Sequence, residues 1–301
     1  MTIQRVLAGA LMVAAVAQSV SAQGNPYSDS LLTAVRARAH AVPGALPLAV
    51  GYLSAQDDSS PASNAVDGAA HTRVLEVTPV FQIRYAKGWV MVDAAMDGAL
   101  ARQMGSKTFS DDRYARIASA LRDAGLIVVT HEHVDHVGSL VKSSIVADVA
   151  PRTLFTRQQV ETMVTLPKVA FITLDSAQAH RYLVVDYDRL LPIAPGVVLI
   201  RAPGHTPGSQ MVYVRLASGR ELILSGDIAW LKEGIDEQRQ KPDSVSTLMH
   251  EDRTALGQQM AWLKQTVEPA GIAVVVSHDG SELADLTHRG FLSAGLDLTA
   301  P

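Results

Sequence analysis

Residues 130–139, THEHVDHVGS, constrain the fold of this chain more than any other stretch. They place three histidines and two acids directly after the apolar run LIVV. Side chains of an extended segment alternate between two sides, so His131 and His133 point the same way and can bind one metal ion. Asp135 and His136 follow where the chain turns into a helix, and they can face a neighbouring ion. The stretch therefore predicts a short strand that ends at a metal site.

Three further segments repeat this arrangement later in the chain. His205 in APGHTPGS, Asp227 in LILSGD and His278 in VVVSHDG each follow a short apolar run. Strand ends meet at one rim of a sheet, so these side chains can converge. Imidazole and carboxylate ligands suit zinc, and the absence of cysteine argues against a closed structural zinc site.

The segments between these motifs predict two packed sheets with helices outside. Residues 28–40 have a helical pattern, and a polar stretch over residues 55–70 is typical of a surface loop. Strand-like runs then begin at Val74, a helix is predicted over 111–123, and a strand over 126–129 leads into the first motif. The second half has a hairpin turned at 218–219, a helix over 251–267 and a last buried strand. Strands followed by a helix, twice over, favour a layered α+β fold.

The first 22 residues predict a secretory signal peptide. One arginine precedes an apolar run, and small residues precede a cleavage point after Ala22. A membrane anchor and a buried N-terminal helix are the alternatives, but the run is shorter than the ~20 residues that a spanning helix needs. We therefore expect a secreted or periplasmic protein, with a helix and loop extension over residues 23–70 and a main domain over 71–301. After cleavage we expect no membrane association.

The net charge limits the partners. The formal net charge is −4, with no basic stripe to bind nucleic acid. We expect a small-molecule substrate and no nucleic-acid partner.

At this point the motifs carry a resemblance to a known family. HEHVDH matches the His-x-His-x-Asp-His motif of the metallo-β-lactamase superfamily. The segments around His205, Asp227 and His278 resemble that family's later ligand motifs, in the same order. The resemblance implies a four-layer αββα sandwich with a binuclear metal site at one edge of the two sheets.

The resemblance also implies a role for each residue. His131, His133 and His205 would bind one ion; Asp135, His136 and His278 would bind a second; Asp227 would bridge the two. Asp93, at the end of WVMVD, matches an acid that orients a ligand histidine, although an aspartate that merely forms a turn is the alternative. The expected cofactor is two Zn²⁺ per chain, or other divalent metals. A hydroxide that bridges the ions would act as nucleophile, with Asp135 to orient it or to receive its proton.

The residues near Asp227 bear on the substrate. True β-lactamases of the superfamily mostly lack the bridging aspartate, so Asp227 favours the hydrolases that resemble glyoxalase II and the quorum-quenching lactonases. Acyl-homoserine lactonases typically carry a tyrosine three residues later, where this chain has Trp230. We expect Trp230 to form an apolar wall of the substrate pocket, with a purely core position as the alternative. Lys232, Arg239 and Lys241 form a charge run that is typical of a solvated face, with contact to an acidic substrate as the alternative.

Together these features predict an exported binuclear zinc hydrolase of a small lactone or carboxylic ester. A β-lactamase-like amide hydrolase is the first alternative. A mononuclear iron oxidoreductase of the same fold, similar to the persulfide dioxygenases, and a metal-binding protein without turnover are the others. The complete set of seven ligand residues argues against the last two.

Overall fold

The computed structural model describes residues 25–165 and 172–299. The predicted signal peptide, residues 1–22, lies outside these ranges. Over the described ranges, none of the helices combines the length and the apolar character needed to cross a bilayer.

The strands are β1 (Ala49–Pro61), β2 (Arg73–Arg84), β3 (Trp89–Val92), β4 (Leu126–Val128), β5 (Thr153–Thr156), β6 (Leu183–Val185), β7 (Leu190–Ala194), β8 (Val197–Arg201), β9 (Gln210–Arg215), β10 (Glu221–Gly226), β11 (Ala273–Val276) and β12 (Ser293–Ala294). The helices are α1 (Asp29–Arg38), α2 (Gly98–Gln103), α3 (Asp111–Asp123), α4 (Val134–Val141), α5 (Val146–Val149), α6 (Arg157–Thr165), α7 (Ser176–Ala179), α8 (Lys232–Glu237), α9 (Asp243–Met249), α10 (Arg253–Trp262) and α11 (Gly280–His288).

The strands form two sheets, which confirms the predicted sandwich. The first sheet has the order β12-β1-β2-β3-β4-β5-β6, and the second has the order β11-β10-β9-β8-β7. Strands β3 to β6 run parallel to one another, as do β10 and β11, whereas β7 to β10 pair antiparallel.

The sequence of β8, VVLIR, explains how the layers are held together. Val197 and Leu199 pack into the core between the two sheets, and Val198 and Ile200 pack against α1 and α10 on the opposite face. Side chains alternate between the faces of a strand, so a strand that is covered on both faces reads as a continuous apolar run. Helices α3 and α4 cover the first sheet in the same way. The four layers are therefore α, β, β, α.

The predicted helix over 111–123 is confirmed as α3. Ser110 caps its first turn by accepting a hydrogen bond from the backbone N–H of Arg113, and two aspartates lie in that turn. An acid near a helix N-terminus stabilises the helix through the helix dipole. Ile117 and Leu121 are fully buried against the outer face of the first sheet.

The polar segment from Ala55 is a strand, so the prediction of a surface loop over residues 55–70 is wrong in its first half. Strand β1 continues to Pro61 and pairs antiparallel with β2, with an irregular register between Ser54 and Asp57. Backbone hydrogen bonds to β2 form this part of the strand, and they need no apolar side chains. The predicted boundary at residue 70 thus falls between two paired strands. Helix α1 packs on the second sheet through Leu31, Leu32 and Val35.

Candidate metal centre and adjoining cavity

The ends of strands from both sheets bring the seven predicted ligand residues together. His131 and His133 follow β4, Asp227 follows β10 and His278 follows β11, while His205 lies in the loop between β8 and β9. Three groups of side chains have ligand atoms within 4.8 Å of one another: His131, His133 and His205; His131, His136 and Asp227; and Asp135, His136 and His278. The sequence prediction of two neighbouring ligand sets is consistent with this placement.

The first group consists of three buried histidines. Nε2 of His205 lies 2.9 Å from Nδ1 of His133. Nε2 of His131 lies 3.8 Å from Oδ2 of Asp227. Three imidazole nitrogens thus lie close enough together to hold one metal ion, and a zinc site with an open fourth position can have such a set of three.

Asp227 lies between this group and the second one. Its Oδ2 is 3.5 Å from Nε2 of His205 and 3.1 Å from Nε2 of His278, and its Oδ1 is 3.4 Å from Nε2 of His136. Asp135 completes the second group, with Oδ2 at 3.4 Å from His136 and 3.6 Å from His278. One carboxylate therefore faces both groups, as a bridging ligand must.

In three of these histidine rings, the Nδ1 nitrogen has a hydrogen-bond partner. Nδ1 of His136 lies 2.9 Å from Oδ2 of Asp93, Nδ1 of His278 donates to the carbonyl oxygen of Val77 at 2.7 Å, and Nδ1 of His205 lies 2.6 Å from Oε1 of Glu251. In the neutral ring, an acceptor on Nδ1 fixes the proton there and leaves the lone pair of Nε2 facing inward.

Three of the candidate ligand atoms that face one another have no hydrogen-bond partner within the described residues. They are Nε2 of His131, Nε2 of His136 and Oδ1 of Asp227, and all are buried. A buried polar atom without a partner costs about 1–3 kcal/mol, more when it is charged. Nitrogen lone pairs and carboxylate oxygens that face one another are stabilised by a cation between them. The residues present thus fit a divalent metal ion that takes nitrogen and oxygen ligands, and zinc is such an ion.

Burial and charge divide the histidines into two classes. Burial lowers the pKa of His133 to about 3 and that of His131 well below its usual value, so these rings are neutral. Burial opposes the charge of His278 as well, but Asp227 outweighs it and raises the pKa to about 9; Asp135 and Asp93 likewise raise the pKa of His136. Metal binding at the second group therefore displaces protons.

Asp93 occupies the position that the sequence predicted for an orienting acid. It is 1% exposed, and its Oδ1 also accepts a hydrogen bond from the backbone N–H of Thr130 at 2.7 Å. Its backbone has φ of 63°, a left-handed conformation that costs energy for a residue other than glycine. Gly226 has φ of +60°, and a Cβ there would lie 3.0 Å from Thr130, so the residue before Asp227 needs to be glycine.

Trp230 contacts the centre through its indole N–H. Nε1 donates to Oδ2 of Asp227 at 2.8 Å, and the ring packs on the small cluster around Val66 and Leu231. The ring centroid lies 6.0 Å from that of His278 and remains half-buried. Its place in a substrate pocket stays a prediction, because it does not line the cavity described below.

The interpretation of the charge run near Trp230 as a solvated face is wrong for Lys241. Lys241 is 2% exposed, and its Nζ lies 2.8 Å from Oε1 of Glu251. Lys232 and Arg239 pair with acids of their own neighbourhood. Pairing with carboxylates explains why these three cationic side chains can be buried or partly buried.

Sequence reasoning missed Glu132 and Glu251. Glu132 stands inside the HEHVDH motif, and its carboxylate accepts hydrogen bonds from Thr206 Oγ1 at 2.7 Å and from the backbone N–H of Gly208 at 3.2 Å. It therefore ties the first motif to the loop that carries His205. An acid between two ligand histidines was the available signal for Glu132, whereas nothing in the sequence near Glu251 pointed to His205.

A cavity of about 390 Å³ opens beside the first histidine group. His133 and His205 form one end, and the lining surface is mainly apolar. The remaining lining residues are Glu132, Gln158, Glu161, Thr162, Met163, Thr165, Thr206, Pro207, Met249 and His250.

Comparison with known proteins found one family model that matches part of the chain. Residues 75–154 match the model of the metallo-β-lactamase superfamily. No curated protein sequence matches the chain significantly.

Solved structures share the fold at low sequence identity. A quorum-quenching N-acyl homoserine lactone lactonase superposes with a TM-score of 0.61 at 16% identity, covering 79% of this chain and 94% of that one. A variant of AiiA from B. thuringiensis, with N-decanoyl-L-homoserine bound at its active site, gives 0.61 at 16% identity, covering 80% and 96%. AidC, a dizinc quorum-quenching lactonase in complex with a product, gives 0.50 at 14% identity, covering 78% and 90%.

Proposed function

We propose that this chain is an exported binuclear zinc hydrolase of a small lactone or carboxylic ester, on the premise that it belongs to the metallo-β-lactamase superfamily, whose model matches residues 75–154. One observation carries the proposal. Buried candidate ligand atoms, which have no hydrogen-bond partner among residues 25–165 and 172–299, face one another beside a cavity whose wall is mainly apolar.

The ligand residues support two metal ions with unequal surroundings. His131, His133 and His205 would hold one ion, and Asp135, His136 and His278 would hold the other, with Asp227 shared. When bound, the ions would lower the pKa of a water to about 7 and polarise the scissile carbonyl. The dizinc relative supports this number of ions.

Asp135 is the acid best placed to handle a proton. Its side chain is 26% exposed, whereas that of Asp227 is 3% exposed. His136 and His278 lower the pKa of Asp135, although burial opposes this, so the carboxylate is ionised and able to accept a hydrogen bond. We therefore assign to Asp135 the orientation of the attacking water and the receipt of its proton.

The cavity supports an apolar substituent on the substrate. A carbonyl placed at His133 and His205 would leave its acyl or alkyl chain between Pro207, Met163 and Met249. Methionine adapts its shape to apolar ligands, which suits chains of different length. The N-decanoyl-L-homoserine bound at the active site of the AiiA relative supports a substrate of this kind.

A substrate panel tests the proposal. Zinc-reconstituted protein is assayed against lactones of increasing acyl length, aryl esters, β-lactams and phosphotriesters, with chelated protein as control. We expect lactone or ester turnover that improves with chain length and disappears with the metal. Turnover of β-lactams alone, or none on any substrate with metal bound, would contradict the proposal.

A matched pair of variants tests the role of the cavity. Met249→Ser should reduce the preference for long acyl chains over short ones, because it removes apolar surface from the lining. Met104→Ser is the control, since Met104 is 43% exposed and lies outside the cavity. Equal chain-length profiles for both variants would exclude this cavity as the acyl site.

Export is a separate part of the proposal. Expressed with residues 1–22 in a bacterium with an outer membrane, the protein should be recovered from the periplasm with a mass that corresponds to a start at Gln23. Recovery from the cytoplasm at full length would contradict it.

A further inference from the structure

The buried ion pair of Glu251 and Lys241 contacts two of the proposed metal ligands, His205 and Asp227. Oε1 of Glu251 lies 2.6 Å from Nδ1 of His205 and 2.8 Å from Nζ of Lys241. Lys241 Nζ also donates to the backbone carbonyl oxygen of Asp227 at 2.8 Å. The side chains of Glu251 and Lys241 are 0% and 2% exposed.

The chemistry of Glu251 sets the proton on His205. A carboxylate only accepts hydrogen bonds, so Nδ1 of His205 carries the proton and Nε2 offers its lone pair towards His133 and Asp227. Two further contacts fix Glu251: Ser246 Oγ donates to Oε2 at 2.7 Å, and the backbone N–H of Glu251 donates to the carbonyl oxygen of Ser246 at 3.0 Å. These contacts hold the carboxylate of Glu251 against His205.

Lys241 connects the carboxylate of Glu251 to the second proposed ligand, Asp227. A buried carboxylate needs a partner charge, and Lys241 supplies it while it also binds the backbone of Asp227. His205 and Asp227 lie on different loops, and the cation makes their positions depend on each other.

From these contacts we propose that Glu251 is a positioning residue that holds His205 as a metal ligand, and that Lys241 couples it to Asp227. The inference rests on the metal centre of the proposed function. It assigns roles to two residues that lie outside the four ligand motifs, in the segment around α9.

Zinc affinity measured separately at the two sites tests this role. Metal-free wild type and Glu251→Gln are titrated with zinc against a chromophoric chelator, and the melting temperature of each metal-free protein is recorded. Loss of a partner that orients a ligand typically weakens metal binding 10–100-fold. We expect about that loss at the site of His131, His133 and His205 in Glu251→Gln, with the site of Asp135, His136 and His278 unchanged. Asp148→Asn, in an exposed ion pair with Arg122, is the control and should bind zinc as wild type does.

A second variant covers the case in which Glu251→Gln fails to fold because Lys241 is left without its partner. Lys241→Met combined with Glu251→Gln removes both charges and keeps an acceptor for Nδ1 of His205. The double variant should fold and show its larger loss at the site of His205, with a smaller loss at the other site, because Lys241 no longer binds the backbone of the shared Asp227. Wild-type affinity at both sites, or an equal loss at both, would overturn the inference. Absence of zinc binding by wild type would instead refute the proposed function.

Discussion

Replacing Trp230 by phenylalanine removes one hydrogen-bond donor from Asp227 and keeps an aromatic ring in place. The indole N–H donates to Oδ2 of Asp227 at 2.8 Å. A hydrogen bond to a charged group contributes about 1.5–3 kcal/mol. Partners that orient a ligating group change metal affinity about 10–100-fold, which corresponds to about 1.4–2.8 kcal/mol. The two ranges agree, so Trp230→Phe should weaken zinc binding by roughly this factor.

Trp230→Ala separates the donor from the packing of the ring. Truncation of a fully buried tryptophan costs about 3–5 kcal/mol, and half of that, about 2 kcal/mol, is reasonable for this half-buried ring on Val66 and Leu231. At about 2–4 °C per kcal/mol for a domain of this size, the melting temperature should fall by about 4–8 °C.

The assay combines chelator competition for zinc with calorimetry of the metal-free proteins. Trp230→Phe should lose affinity with little change in melting temperature, and Trp230→Ala should lose both. Wild-type affinity in Trp230→Phe would refute the role assigned to the N–H. A raised KM for bulky apolar substrates in Trp230→Ala, with unchanged zinc affinity in both variants, would support the pocket wall predicted from the sequence.

Three further predictions concern the metal groups and the loop that carries His205. His278→Ala should retain one zinc ion of two by metal analysis, because the three-histidine group is intact; equal loss of both ions would contradict two separate sites. Zinc uptake at pH 7 should release protons into a weakly buffered solution, because His278, with its pKa raised to about 9, must lose its proton to bind metal, whereas His133 is already neutral. Affinity at the second site should therefore fall as the pH falls below about 9, and uptake without proton release would refute this. Gly208→Ala should lower the free energy of unfolding by about 1–3 kcal/mol, because its Cβ would lie 2.5 Å from two side chains, whereas Gly125→Ala, with its nearest contact at 3.6 Å, should change it by less than about 0.5 kcal/mol; equal stabilities in denaturant would contradict the close packing.

The seven candidate ligand residues could be placed near one another from the sequence because five of them follow short apolar strands and the other two, Asp135 and His136, begin the helix after the first strand. The signal is local: LIVV before His131 and VVV before His278 mark both the strand and the place where it ends. The same local pattern located α3 and the two sheets. These elements are buried on predictable faces, so their side-chain pattern carries the information.

Glu251 and Lys241, which contact the candidate ligands, could not be found from a local sequence pattern. Glu251 contacts His205 across 46 residues of sequence, and Lys241 stands among charges whose usual place is the surface. Glu251 can be buried only because Lys241 is beside it, and the reverse is also true. A local sequence pattern does not indicate such a pairing. The second half of β1 was missed for a related reason, because backbone pairing with β2 defines it and its side chains are polar.

The most direct test of the central claim is a titration of the metal-free protein with zinc, followed by turnover of a lactone or ester. The seven ligand residues predict activity that appears as zinc is added and reaches its plateau at two equivalents per chain. In Asp227→Ala, which lacks the carboxylate that faces both groups, the same titration should reach a much lower plateau with fewer ions bound. Full turnover in metal-free protein, or a variant that keeps two ions and wild-type turnover, would contradict the account.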